Sequence, residues 1–260
     1  MIVNNKVVHK LKELGYKFVA FSSDFDLTDG IQTADIYNQY FFGLNYFEFT
    51  LLNNSLIGKA INLIQYDLND IARGRFNNNL NRLSQIAEIE TPTFTFLHVL
   101  QPHPPFIFDG EGNAIGKGKR FHLGDGSEFP GTKIEYKQGY IGQLKYLNQQ
   151  IKETISEILD NSPTPPIIIL QSDHGSGMYT DWENPANTNF WERMSILNAY
   201  LVPEKIKSRL YPAITPVNTF RLLFDAYFEH EYTLLEDKSY FATRNRPYKF
   251  YSVVNDRLVE

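Results

Sequence analysis

No cysteine occurs among the 260 residues. That excludes disulfides, thiolate metal sites and cysteine nucleophiles. No run of eighteen apolar residues occurs either, so no segment reads as a transmembrane helix. The opening MIVNNKVVHK lacks the apolar stretch of a signal peptide. Neither charge sign dominates: 25 Lys and Arg face 30 Asp and Glu, a formal net charge of −5. There is no Lys/Arg stripe of the kind that neutralises a phosphate backbone, so nucleic acid is not an expected partner. A small anionic substrate remains compatible with mild acidity, because a bound cation can dominate the local field. No repeat, low-complexity tract or Pro/Gly/Ser-rich linker divides the chain, and residues 1–260 read as a single domain.

What is present alternates between helical and extended patterns. Val7, Val8, Leu11 and Leu14 fall at helical spacing, with Gly15 suited to the position after a helix end. Tyr16–Ser22 reads as a buried strand. Asp24–Asn53 is aromatic without a clean period and suits a cover over the sheet. Leu56–Ile89 reads as helix interrupted near Gly74–Asn79, and Thr93–Val99 as a second strand with His98 inside it. Phe106–Gly131 reads as a polar, glycine-rich excursion. Tyr140, Leu144, Leu147, Ile151, Ile155 and Ile158 form one apolar helical stripe. Pro166–Leu170 is a continuous apolar run suited to a strand buried on both faces of a parallel sheet. Ile196–Val202 is a further strand, Val217–Tyr227 a helix, and Tyr240–Thr243 with Tyr248–Val253 a small C-terminal strand pair. The pattern predicts an α/β fold with a mainly parallel sheet flanked by helices.

Ligands of such sheets bind beyond the carboxyl ends of the strands. Two strand ends there carry candidate chemistry. One runs into Gln171-Ser-Asp-His-Gly-Ser176, where adjacent Asp173 and His174 offer an oxygen and a nitrogen donor. The other, Leu97-His-Val-Leu-Gln-Pro-His-Pro-Pro105, puts His103 in a proline-braced loop, where an imidazole can ligate metal or serve a substrate oxygen. His9, His122 and His230 sit in no motif. Imidazole beside carboxylate suits Zn²⁺ or Mn²⁺ better than Ca²⁺, which prefers an all-oxygen shell.

Ser172-Asp-His-Gly175 after a strand, with Pro102-His-Pro-Pro105 after an upstream strand, resembles the sulfatase and alkaline phosphatase superfamily. Leu11-Lys-Glu-Leu-Gly-Tyr16 resembles that family's helix-Gly-Tyr-strand step. Ile196-Leu-Asn-Ala-Tyr200, the stretch from Tyr211 to Arg221 and the stretch from Glu236 to Phe241 resemble bacterial membrane-anchored sulfatase-like proteins. The resemblance implies an alkaline-phosphatase-like fold and a metal-dependent hydrolase or phospho(ethanolamine)transferase of phosphate or sulfate esters. It implies metal-ligand roles for Asp173 and His174, contact with the transferring group for His103, and a substrate-binding role for His98. It further implies a location outside the cytoplasm, a small anionic ester or a lipid or glycan head group as substrate, and a membrane anchor in a segment not in this chain. The family's metal-binding Asp and its Thr, Ser or formylglycine nucleophile precede the segment that Val3–Leu14 resembles. The expectation is therefore of a C-terminal portion, incomplete at its N-terminal edge, that does not turn over by itself. A non-catalytic α/β binding domain with a vestigial metal site is the alternative.

Overall fold

The computed structural model describes residues 5–23, 25–40, 51, 55, 67–117, 121–228, 232–254 and 256–259. Asp24, residues 41–50 and 52–53 of the aromatic cover, His230 and the helical pattern at 56–66 lie outside them. The chain forms two compact units, residues 1–123 with 131–163, and residues 124–130 with 164–260.

In the first unit, helix α1 (Lys6–Glu13) starts on Asn5, whose side chain accepts from Val7 N–H. It closes where Gly15 adopts φ +87°: Gly15 N–H donates to Lys12 O and Tyr16 N–H to Leu11 O. These two bonds satisfy carbonyls that every helix end leaves over, and the left-handed residue is cheapest as glycine. The turn feeds β1 (Lys17–Phe21), of which Phe18 to Phe21 are buried. β1 pairs in parallel with β2 (Ile36–Asn38) on one side and β3 (Thr93–Phe96) on the other. The α/β architecture with a parallel sheet is thus present, around a core of Val8, Phe18, Ala20 and Ile31.

Helix α2 (Leu68–Ser84) runs unbroken through Gly74–Asn79, against the expected interruption. Its buried polar residues have partners: Arg75 donates to Ser23 O and Asn79 to Ser22 O, while Arg73 donates to Ile107 O and Ile115 O. Gly74 admits Tyr40, whose hydroxyl would lie 2.1 Å from an added Cβ. Helix α3 (Lys133–Asn161) begins at Thr132 with a capping box to Glu135. Its expected stripe is only half-buried, and the fully buried positions are Tyr136, Gln143 and Thr154. The stretch after His103 is not simply polar. Ile107 and Phe108 are buried with Ala72, Phe76 and Leu80, and Leu147 and Ile151 of α3 pack against that cluster.

In the second unit, β4 (Ile168–Gln171) pairs antiparallel with β5 (Asn198–Leu201) and is half-buried throughout. The doubly buried parallel strand expected from the run of isoleucines is not what forms. An apolar run reports burial without direction, and β5 alternates half-buried and exposed residues, leaving one face of the ladder to solvent. Short helices α4 (Phe190–Met194) and α5 (Glu204–Lys207) flank β5, followed by α6 (Pro216–Phe228). The C-terminal pair is an antiparallel trio, β6 (Ser239–Thr243), β7 (Arg246–Val254) and β8 (Arg257–Val259).

Asp237 ties the strap before β6 to the start of α6. Its carboxylate accepts from Thr215 N–H and Oγ1, Tyr211 OH and Asn218 Nδ2. Burial pushes its pKa up, but the donors outweigh it and hold the carboxyl below the usual carboxylate range. A depressed folded-state pKa contributes stability above the unfolded pKa, lost as pH falls through the folded value. Asp237→Asn is expected to cost about 1 kcal/mol at neutral pH, the carboxylate being solvent-exposed. It should also flatten the acid limb of stability, as read by urea denaturation at several pH values. An unchanged acid limb would remove Asp237 from this role.

Candidate functional site

The Asp-His turn is built by the second unit. Ser172 N–H donates to Leu197 O and Leu197 N–H to Ser172 Oγ, so the ladder persists one residue past β4 and releases the chain at Asp173. Gly175 N–H then donates to Arg193 O at 2.8 Å, docking the turn on α4. A Cβ on Gly175 would meet Glu192 O at 2.0 Å and Ser195 O at 2.6 Å, so only glycine fits. Beneath the turn, Arg193 Nη1 donates to Asp125 Oδ2 at 3.0 Å, with both side chains nearly buried, and the guanidinium lies 4.9 Å from the Trp182 ring centre. Gly177 is pressed against the Asp125 carboxylate, which an added Cβ would meet at 2.1 Å.

Asp173 is exposed and His174 half-buried, with Nε2 3.6 Å from Asp173 Oδ2. His174 Nδ1 lies 2.8 Å from Gly175 O. A carbonyl only accepts, so Nδ1 carries the proton and Nε2 is the unprotonated nitrogen of the neutral ring. Burial, and then the Arg193 cation, hold the His174 pKa below the usual imidazole range, outweighing the opposite pull of Asp173, the Gly175 carbonyl and Asp125. At neutral pH the pair therefore offers two lone-pair donors. Two ligands of one tetrahedral ion at bonds of about 2.0–2.2 Å stand roughly 3.3–3.6 Å apart, so the observed separation fits a shared cation. Among the described residues, however, no group of three or more His, Asp or Glu could hold a metal ion. Asp181 is engaged elsewhere, accepting from Glu183 N–H, Asn184 N–H and Asn187 Nδ2 in its own turn.

His98 and His103 belong to the first unit. His98 stands two residues beyond β3, not inside the strand. Its Nδ1 is 2.6 Å from Thr28 Oγ1, and Phe25 meets its ring edge-on. His103 is half-buried and donates from Nδ1 to Pro104 O at 2.6 Å, which makes Nε2 its unprotonated nitrogen in the neutral form. Its loop is held by Gln143 of α3. Gln143 Oε1 accepts from Ile107 N–H at 2.8 Å and Phe108 N–H at 3.3 Å, and Nε2 donates to His103 O at 3.2 Å. Phe106 packs edge-on against Tyr136 and lies over Gly139, where a Cβ would meet its ring at 2.2 Å.

Sequence reasoning brought out the histidines and the aspartate but missed Thr28, Gln143, Asp125 and Arg193. Each has at least one side-chain partner 36 or more residues away, and no local pattern announces that. Within one unit the structure brings Asp173 and His174 together; His98 and His103 follow β3 in the other.

The family model for Sulfatase matches residues 5–218, more than half of the chain. Neither the curated proteins nor the solved structures compared with it gave a match. The α/β architecture with this match defines a sulfatase-like hydrolase domain of a generally metal-dependent family. The chain belongs to the sulfatase family.

Proposed function

We propose that Asp173 and His174 ligate a divalent cation, Zn²⁺ or Mn²⁺ in preference to Ca²⁺, and that His103 and His98 face a phosphate or sulfate ester. The observation that carries this reading is the His174 geometry. Nδ1 is committed to Gly175 O, the ring is kept neutral, and its lone-pair nitrogen stands 3.6 Å from the Asp173 carboxylate. A neutral imidazole beside a carboxylate favours a borderline cation. When bound, the cation would supply positive charge to the ester's oxygens and lower the pKa of a hydroxyl nucleophile. His98 and His103 would bind the ester, and His103 would take up or release a proton at Nε2. The substrate in this reading is a small anionic ester, or the ester of a lipid or glycan head group, and phosphoethanolamine transfer is one form of the chemistry.

Two ligands on one turn are a weak cage. Zn²⁺ and Mn²⁺ are expected to bind these 260 residues weakly, and Asp173→Ala to weaken binding by a further factor of about ten, or roughly 1.4 kcal/mol. Competition with a chromogenic chelator measures both. Stoichiometric tight binding indifferent to Asp173→Ala would overturn the assignment. With so few ligands in the described residues, hydrolysis of aryl phosphate or aryl sulfate by this chain is expected at background. A second reading is a non-catalytic domain keeping a vestigial metal site. Turnover by the purified chain, abolished by Asp173→Ala, would reject both the background expectation and that second reading.

A further inference from the structure

We propose that the hairpin of β6 and β7 is a docking surface for an anionic lipid bilayer, seated by exposed aromatic rings and held by basic side chains. The proposal is independent of the metal reading. The two strands lose register between Phe241 and Thr243, so that Pro247 to Phe250 bulge from the ladder opposite Ala242. A bulge re-aims side chains, and here Tyr248 and Phe250 stand 90% and 65% exposed. Phe250 meets the exposed Tyr240 ring edge-on, with ring centres 6.4 Å apart. Tyr240 and Val259 both pair with Ser252, which puts them on one face of the sheet. Val254, two residues beyond Ser252, shares that face, and both valines are exposed. The opposite face is the packed one, where Phe241 is buried against Trp182 and Phe190.

The charge of this stretch is opposite in sign to that of the chain. From Lys238 to Val259 stand Lys238, Arg244, Arg246, Lys249 and Arg257 against Asp256 alone, in a chain of net charge −5. Lys238 is paired with Glu236, and Arg244 with Glu128. Among the described residues no ion pair engages Arg246, Lys249 or Arg257, and all three are exposed.

Cations left to solvent beside an apolar patch call for an anionic partner that also accepts apolar groups. An anionic bilayer surface is both: aromatic rings sit at the level of its head groups, while Arg and Lys reach its phosphates. Two other occupants fit less well. A second copy docked face to face would set these cations against their own counterparts. Single-stranded nucleic acid uses ring faces on which bases stack. Phe250 and Tyr240 instead stand at 75° to each other, and Val254 and Val259 have no ring to offer.

Co-sedimentation of the full chain with phosphatidylcholine vesicles, with and without about 30% phosphatidylglycerol, tests this. Binding is expected to the anionic vesicles only, and should fall between about 0.05 and 0.5 M salt as screening shortens the reach of the cations. Arg246→Gln, Lys249→Gln and Arg257→Gln together should weaken it about a hundredfold, from about fivefold for each cation. Tyr248→Ser with Phe250→Ser should weaken it at least about tenfold at unchanged charge. Trp182, stacked on Phe241 behind the hairpin, reports by its fluorescence that each variant is folded. Equal binding to both kinds of vesicle, no binding to the anionic ones, or undiminished binding by the folded Gln variant overturns the proposal. So does a dimer in sedimentation velocity that the Tyr248→Ser, Phe250→Ser variant abolishes, which would assign the face to a second copy. Tighter binding of a single-stranded oligonucleotide through the same residues would likewise overturn it. Should the aromatic variant not fold, the Gln variant still decides.

Discussion

Arg193→Ala is expected to destabilise the second unit by about 3–5 kcal/mol, the cost of removing one partner from a buried ion pair. Arg193 and Asp125 are both nearly buried and meet at 3.0 Å. Without the guanidinium, the Asp125 carboxylate stays where water hardly reaches, packed against Gly177. The substitution also removes a cation from the face of Trp182, a contact worth about 1–2 kcal/mol in a desolvated setting, so that ring reports the change by fluorescence. Asp125→Asn in the same background should recover part of the loss, because it removes the stranded charge. His174 should titrate closer to the ordinary imidazole range once the Arg193 cation is gone. A loss below about 1 kcal/mol would show that water already reaches the pair.

Gly175→Ala is the second large effect. The added methyl would lie 2.0 Å from Glu192 O and 2.6 Å from Ser195 O, both backbone atoms that cannot rotate aside. Overpacking of this kind costs about 1–3 kcal/mol, and here the turn relieves it by lifting away from α4. The Gly175 N–H bond to Arg193 O would be given up, and with it the seat that fixes Asp173 and His174. Metal binding should therefore fall at least as far as in Asp173→Ala, although no donor atom has been removed. Calorimetric titration with Zn²⁺ beside thermal unfolding distinguishes the two variants: Asp173→Ala should bind less and unfold as before. Undiminished Zn²⁺ binding by Gly175→Ala would mean that the turn's seat on α4 does not place the ligands.

Legibility in the sequence followed the range of the interactions. Helix α1, its glycine stop and β1 were readable because spacing and one left-handed residue state them locally. The Asp173-His174 turn was readable because a strand end and a small turn residue sit together. β2 escaped notice, being three half-buried residues whose partner in the sheet lies 17 positions earlier. Gly74 suggested a break in α2, yet it is a contact surface for Tyr40. Hydropathy marked a stripe on α3 that is half-buried and said nothing of Gln143, which is buried. Its three partners are backbone atoms up to 40 residues away, and no periodicity encodes that. Ile107 and Phe108 were hidden in the same way, two apolar residues in a polar stretch, buried by helices from both sides of them in sequence.

The Gln143 amide has a consequence for how this loop can vary. One side chain spans His103 O and the N–H groups of Ile107 and Phe108, so it gauges the chain length between them. Adding or deleting a residue there would pull one end off the amide and strand a buried donor or acceptor, at about 1–3 kcal/mol for each group left over. Drift at this loop should therefore proceed by exchange of residues at constant length, whereas the exposed turn at Glu111 can absorb insertions without disturbing the imidazole.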